Sequence, residues 1–160
     1  MDVLLLEIKD LKGNCTITGH ENQIILNTFQ HSCALPMSMD AANTERTSGR
    51  PVFSEMVVSK MTDQATPALY QACAEGKKLG DATIHIGRNE GGAFMSLMKY
   101  TLSNAMVSNI STGGGGGIPS DSFSINYTQI KSEFTQQNAD STKKGTAAFG
   151  WNIETNKAAT

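Results

Sequence analysis

Long alternating runs of apolar and polar residues that change phase partway are the feature that most narrows the folds open to this chain. Ile24 and Leu26 alternate, and then Phe29, His31, Cys33 and Leu35 carry the apolar phase in the opposite parity. A strand cannot exchange its faces without an extra residue, so a β-bulge is expected near Asn27 and Thr28. The same change occurs where Phe123, Ile125 and Tyr127 give way to Ile130 and Phe134, and again where Met98, Tyr100 and Leu102 lead to Val107. The chain opens on a further strand pattern, in which Val3 and Leu5 oppose Leu4, Leu6 and Ile8. Taken as one straight strand, the segment 94–110 would reach roughly 50 Å at about 3.3 Å per residue. A compact domain of this size is only about 40 Å across. Long strands that change phase must bend, and bent antiparallel strands close into barrels. The pattern therefore predicts a mainly β fold, a bent antiparallel β-barrel.

One helix interrupts the strands. Thr66 is the expected N-cap, Pro67 suits the first helical position, and Gly76 suits the position just past the end. Ala65, Leu69, Ala72 and Cys73 form one apolar stripe. A helix of about ten residues is not stable alone, so it should dock as a cap over a barrel mouth. The sequence Arg88-Asn89-Glu90-Gly91-Gly92 between two alternating runs reads as a hairpin connection. Pro36 ends a strand, and the polar stretch 39–51, which includes Thr44-Glu45-Arg46-Thr47-Ser48-Gly49-Arg50, is an extended loop too long to be a mere connector. No repeat or linker divides the chain, so residues 1–160 read as a single domain.

Composition closes off several classes. Gly, Ser, Thr and Asn make up 56 of the 160 residues, which disfavours long helices and excludes a coiled coil. A net charge of -2 lacks the basic surplus that a nucleic-acid backbone binder requires. The apolar run Val3-Leu4-Leu5-Leu6 is too short for a signal-peptide core, and no run could span a bilayer. Neither membrane insertion nor a cleavable signal is expected. Three cysteines imply no disulfide framework.

No candidate chemistry assembles into a complete site. The glycines 113–117 are followed by Ile118-Pro119, without the lysine and hydroxyl of a phosphate loop, and read as a hairpin connection. His31 and Cys33 share a strand face, with Cys15 and His20 nearby in sequence, but no metal-ligand spacing is present and His85 stands apart. Cys73 belongs to the helix stripe. Fourteen serines permit many imagined triads, yet no nucleophile elbow occurs, and Glu45 and Asp63 lie by loops where solvated charge is the default. Neither catalysis, a metal nor a cofactor is implied.

Several segments together resemble a known family. They are Thr66-Pro67-Ala68-Leu69 with Ala72-Cys73 and Gly76-Lys77; Val107-Ser108-Asn109-Ile110-Ser111 with the glycine run; Asn126-Tyr127-Thr128-Gln129-Ile130; and Gly150-Trp151-Asn152. Near the start, Gly13 and His20-Glu21 precede the strand bearing Phe29 and His31. In this order they resemble the haemolysin-coregulated protein (Hcp) family, the tube protein of type VI secretion systems. Phe29 stands where many members carry Trp, Ser32 where Gly is frequent, and Asn109 where a second Ser is common. The resemblance implies a homo-hexameric ring that stacks into a hollow tube, works with a contractile sheath and a spike protein, and carries or chaperones effector proteins in its lumen. It implies that Gln30 faces the lumen and touches cargo, and that Glu45, Arg46 and Arg50 lie in the loop that stacks one ring on the next. It also implies a protein that is cytoplasmic before assembly and then exported through the apparatus itself. The competing readings are a small-molecule-binding barrel, which needs an apolar interior cavity, and a Ser- or His-dependent enzyme.

Overall fold

The computed structural model describes residues 2–42, 44–138, 140 and 142–159. The first half of the chain forms β1 (Asp2–Ile8), β2 (Ile24–Leu26), β3 (Thr28–Gln30), β4 (Cys33–Ala34), β5 (Val52–Phe53), β6 (Met56–Met61) and α1 (Thr66–Glu75). The second half forms β7 (Ala82–Glu90), β8 (Ala93–Ser103), β9 (Met106–Gly113), β10 (Ser120–Asn126), β11 (Gln129–Gln137), β12 (Lys143–Asn152) and β13 (Lys157–Ala158). The fold is mainly β with one short helix, as the alternation predicts. Its ladders form a seven-stranded sheet in the order β13-β12-β11-β8-β7-β1-β2, a four-stranded sheet in the order β3-β6-β10-β9, and a two-stranded β4-β5 ribbon. All pairs are antiparallel.

Each phase change in the sequence is a corner where the chain passes from one sheet to the other. β2 belongs to the large sheet and β3 to the small one, and between them the Asn27 amide donates to the Ser59 carbonyl at 2.7 Å. β8 leaves the large sheet and β9 enters the small one through Asn104, whose φ of 54° turns the backbone sharply. β10 returns to the large sheet as β11 past Tyr127 and Thr128, where the Thr128 amide bonds the Ser103 carbonyl at 3.0 Å. What looks like a bulge within one strand at Asn27-Thr28 is thus a change of partner strand. Such corners let two sheets fold over a shared core.

That core joins Leu6, Ile24, Ile84, Leu102 and Ile130 of the large sheet to Met56, Val58, Val107, Phe123 and Ile125 of the small one. Burying each such side chain contributes about 1.5–3 kcal/mol of transfer free energy. Leu69 and Ala72 bring α1 onto the same core, and the helix lies over β9. Thr66 is not the N-cap: Ala65 holds that position without a side-chain cap bond, and the Thr66 hydroxyl turns inward. Asp63 compensates by accepting the Ala65 amide at 2.9 Å. At the other end Gly76 has φ 63°, and the Gly76 and Lys77 amides bond the Cys73 and Ala72 carbonyls. That arrangement is a Schellman motif, which residues with a Cβ resist.

The β7–β8 hairpin turns on Gly91 and Gly92, both with positive φ (59° and 84°), as a two-residue primed turn requires. The glycine run joins β9 to β10, with Gly113 opposite Ser120. Gly13 has a different role, because a Cβ there would lie 2.6 Å from the Ile24 Cα. It lets the loop 12–23 lie against β2.

Candidate functional site

The outer face of the small sheet is built mostly from uncharged side chains, many of which can hydrogen-bond. Alternation along β3 sends Phe29 inward, its ring 5.7 Å from that of Tyr100, and leaves Gln30 exposed on the opposite side. Gln30 lies opposite Val57, Val57 opposite Ser124, and Ser124 opposite Asn109. One rung along, Thr28 and Ser59 share a hydroxyl–hydroxyl bond of 2.6 Å, and Ser122 and Ser111 continue the row. Where the face meets the root of the ribbon it becomes concave, about 340 Å³ lined by Gln30, Ser32, Ser54, Glu55, Val57 and Ser124.

Directly behind this concavity the ribbon is anchored. His31 and Tyr127 approach at 2.9 Å through imidazole Nε2 and the phenol oxygen. Tyr127 spends its hydroxyl hydrogen on the Ser54 carbonyl at 2.7 Å, so Nε2 of His31 must be the donor toward Tyr127. Burial lowers the His31 pKa, keeping the ring neutral at pH 7. Burial, followed by the influence of Cys33 and Glu55, raises that of Tyr127. Rings of Phe53, Tyr100 and Tyr127 surround the imidazole at 6.1, 6.1 and 6.2 Å. His31 therefore fastens the ribbon to the body. Cys33 is exposed, while Cys15, within the loop 12–23, is buried, and no group of three His, Cys, Asp or Glu converges among the described residues.

Beyond β4 and β5 the extended loop forms an arm. A bridge joins Met37 to Thr47, the Ser38 amide bonds the Arg46 carbonyl at 2.5 Å, and the Ser48 amide bonds the Pro36 carbonyl at 3.0 Å. The sequence missed these rungs because the polar residues of the arm carry no alternation. Glu45 and Arg46 are exposed on its returning limb, close to Met39, which is 97% exposed. Arg50 lies nearer the body, and its Nη2 reaches the Glu154 carbonyl at 3.5 Å. The three residues expected to stack rings are thus divided, with Glu45 and Arg46 towards the tip and Arg50 near the root.

A further polar cluster escaped the sequence reading. Lys60 and Asp121 face each other across β6 and β10 at 2.7 Å, both side chains fully buried. Lys60 also donates to Asp63 at 2.9 Å and Thr66 at 2.8 Å. Asp121 accepts further bonds from the hydroxyls of Thr62, Thr66 and Thr112. Burial alone would raise the Asp121 carboxyl, but the bonds from Lys60, Thr66, Thr112 and Thr62 outweigh it and bring it to about 2. The signal was present in the alternation, because Lys60 continues the buried phase of Met56 and Val58, and Asp121 that of Phe123 and Ile125.

Known proteins share both sequence and architecture with this chain. A model of the family described as "Type VI secretion system effector, Hcp" matches residues 5–134. Protein Hcp1 of Pseudomonas aeruginosa is 32% identical over 105 residues, 64% of this chain and 65% of that protein. The major exported protein of the same species is 30% identical over 76 residues, 48% of this chain and 42% of that one. The matched region thus spans less than two thirds of the length of these curated relatives. Among solved structures, one described as a type six secretion system protein superposes with a TM-score of 0.91 at 20% identity, covering 99% of this chain and 100% of that one. Hcp1 from Salmonella typhimurium superposes with a TM-score of 0.81 at 19% identity, covering 99% of each chain. These superpositions show that the solved proteins share the fold of this chain. With its family model matched over most of its length, the chain belongs to the Hcp family of type VI secretion system proteins. This is a family of secretion proteins rather than of enzymes. No helix among the described residues is long and apolar enough to cross a membrane.

Proposed function

We propose that this chain forms a six-membered ring that stacks into the hollow inner tube of a type VI apparatus, with a contractile sheath around it and a spike at its tip. The observation that carries the reading is the small sheet, which has two open edges, β3 and β9, on either side of a largely uncharged outer face. Unpaired edges are a liability in a lone domain, and cyclic closure needs two different complementary surfaces on each protomer. In the ring the outer face of the small sheet lines the lumen, where Gln30 offers its amide to passenger effectors. The arm projects to the next ring, with Glu45, Arg46 and Arg50 as its charged contacts. Exposed charge pairs contribute only about 0–1 kcal/mol each, but six arms engage together. The protein leaves the cytoplasm inside the apparatus and needs no cleavable signal.

Sedimentation velocity at micromolar concentration tests the ring. The expected species is close to six times the 17.1 kDa protomer, and a lone 17.1 kDa species would sink the reading. Gln30→Ala should leave the ring intact and lower the amount of a lumen-carried effector that co-purifies with it. Loss of the ring instead would place Gln30 between subunits.

A further inference from the structure

We propose that the concavity beside Gln30 is a receptor for a basic side chain, a lysine or arginine presented by a passenger protein, and that Glu55 is its anion; this rests on the reading of the small-sheet face as the lumen. Glu55 is the one charged residue among the six that line the concavity. Its carboxylate accepts a hydrogen bond from the Ser108 hydroxyl. Among the described residues its only ion pairs would be with Lys, Arg or His, and the salt bridges formed there involve Lys60 and His85, not Glu55. Elsewhere the buried Asp121 and its neighbour Asp63 share Lys60, while the exposed Glu7 meets His85. Glu55 is therefore a half-buried carboxylate with a neutral hydrogen-bond donor and no salt bridge among the described residues.

The surroundings suit an ammonium or guanidinium group better than an anion or an apolar ligand. Gln30 supplies an amide oxygen, and Ser32, Ser54 and Ser124 supply hydroxyl oxygens, all able to accept from a cation. Ser54 already accepts the Ser32 amide at 2.8 Å, which fixes its oxygen at the rim. Val57, 38% exposed, gives the methylene stem of a long basic side chain an apolar floor. A divalent metal would need several more charged or carbonyl oxygens than one carboxylate and neutral hydroxyls offer. Charge complementarity thus selects the occupant. In a ring of six, the same feature becomes six evenly spaced carboxylates on an otherwise neutral wall, which favours basic patches on whatever travels inside.

The test uses the full chain and three fluorescein-labelled Gly-Ser nonapeptides carrying Lys-Lys, Glu-Glu or two norleucines at the centre, with binding read by anisotropy. At 50 mM NaCl the Lys-Lys peptide should bind at least about fivefold more tightly than the norleucine peptide, the equivalent of one modest ion pair, and the difference should shrink at 300 mM NaCl. Glu55→Gln keeps the shape and the partner for Ser108, and should erase that preference. Gln30→Lys, which places an internal cation beside an intact Glu55, should erase it as well. Equal binding of the three peptides by the wild type, or a Lys-Lys preference that survives Glu55→Gln, overturns the proposal. Sedimentation of the same samples keeps the two readings apart. A Glu55-dependent preference shown by a monomer would retain the receptor and discard the ring, whereas a ring without the preference would discard the receptor alone.

Discussion

The two ends of the small sheet treat polar groups in opposite ways. Under α1, the buried Lys60, Thr66 and Asp121 bond one another, and the hydroxyls of Thr62 and Thr112 complete the shell of the Asp121 carboxylate. At the other end the chain runs out into an arm whose Met37 and Met39 are 53% and 97% exposed, and whose charges lie on the surface. The difference separates what holds the protomer together from what is left for partners. A buried ion pair stabilises only when every remaining bond is made, and it fails badly when one member is removed. Exposed charges contribute little to a single chain, whatever they do in an assembly.

The largest effect should follow Asp121→Ala, which leaves the Lys60 ammonium buried without its carboxylate. A loss of about 3–5 kcal/mol is expected in urea unfolding of the protein. Replacing both members, Lys60→Met with Asp121→Leu, should recover much of it. Acid should act on the same bond more gently. The folded-state pKa of Asp121 lies below its ordinary value of 3.8, at about 2. Its contribution is therefore fully present above about pH 4 and lost as the pH falls towards 2, to the extent of about 2 kcal/mol. Comparing pH-dependent melting of the wild type with the Lys60→Met/Asp121→Leu variant isolates this contribution, because only the wild type should show that part of the loss.

Tyr127→Phe comes next. It leaves the Ser54 carbonyl and the His31 Nε2–H without partners at the root of the arm and should cost about 1–3 kcal/mol, read as a lower Tm. The smallest change in protomer stability should come from the triple Glu45/Arg46/Arg50→Ala variant, within about 1 kcal/mol of wild type. That variant should still sediment as rings yet fail to form tubes or to support killing of neighbouring cells. An unfolded triple variant would show the arm to be part of the protomer's stability and erase the contrast between the two regions.

The sequence made the bending of the strands legible because a burial phase is a physical constraint on every second residue. All three changes of phase, at Asn27, Asn104 and Tyr127, are places where the chain changes sheets. Periodicity records which side of a strand is buried, but not which strand lies beside it, so a corner reads as a bulge. Gly76 was legible from its place after the helix stripe, whereas Thr66 was misread as a cap because its hydroxyl serves Lys60 and Asp121, residues distant or polar enough to leave no local trace. The exposure of Gln30 opposite Phe29 followed from alternation alone. Glu55 did not, since a single carboxylate in the link between β5 and β6 becomes notable only once Ser32, Ser54 and Ser124 are gathered around it.

Native mass spectrometry of the full chain at micromolar concentration, run beside the arm variant, tests most directly whether the surfaces left open by the fold are filled by copies of the same chain. The account predicts a six-chain species for both proteins, with higher multiples of six for the wild type alone. A wild type that remains a single chain at 17.1 kDa would contradict it.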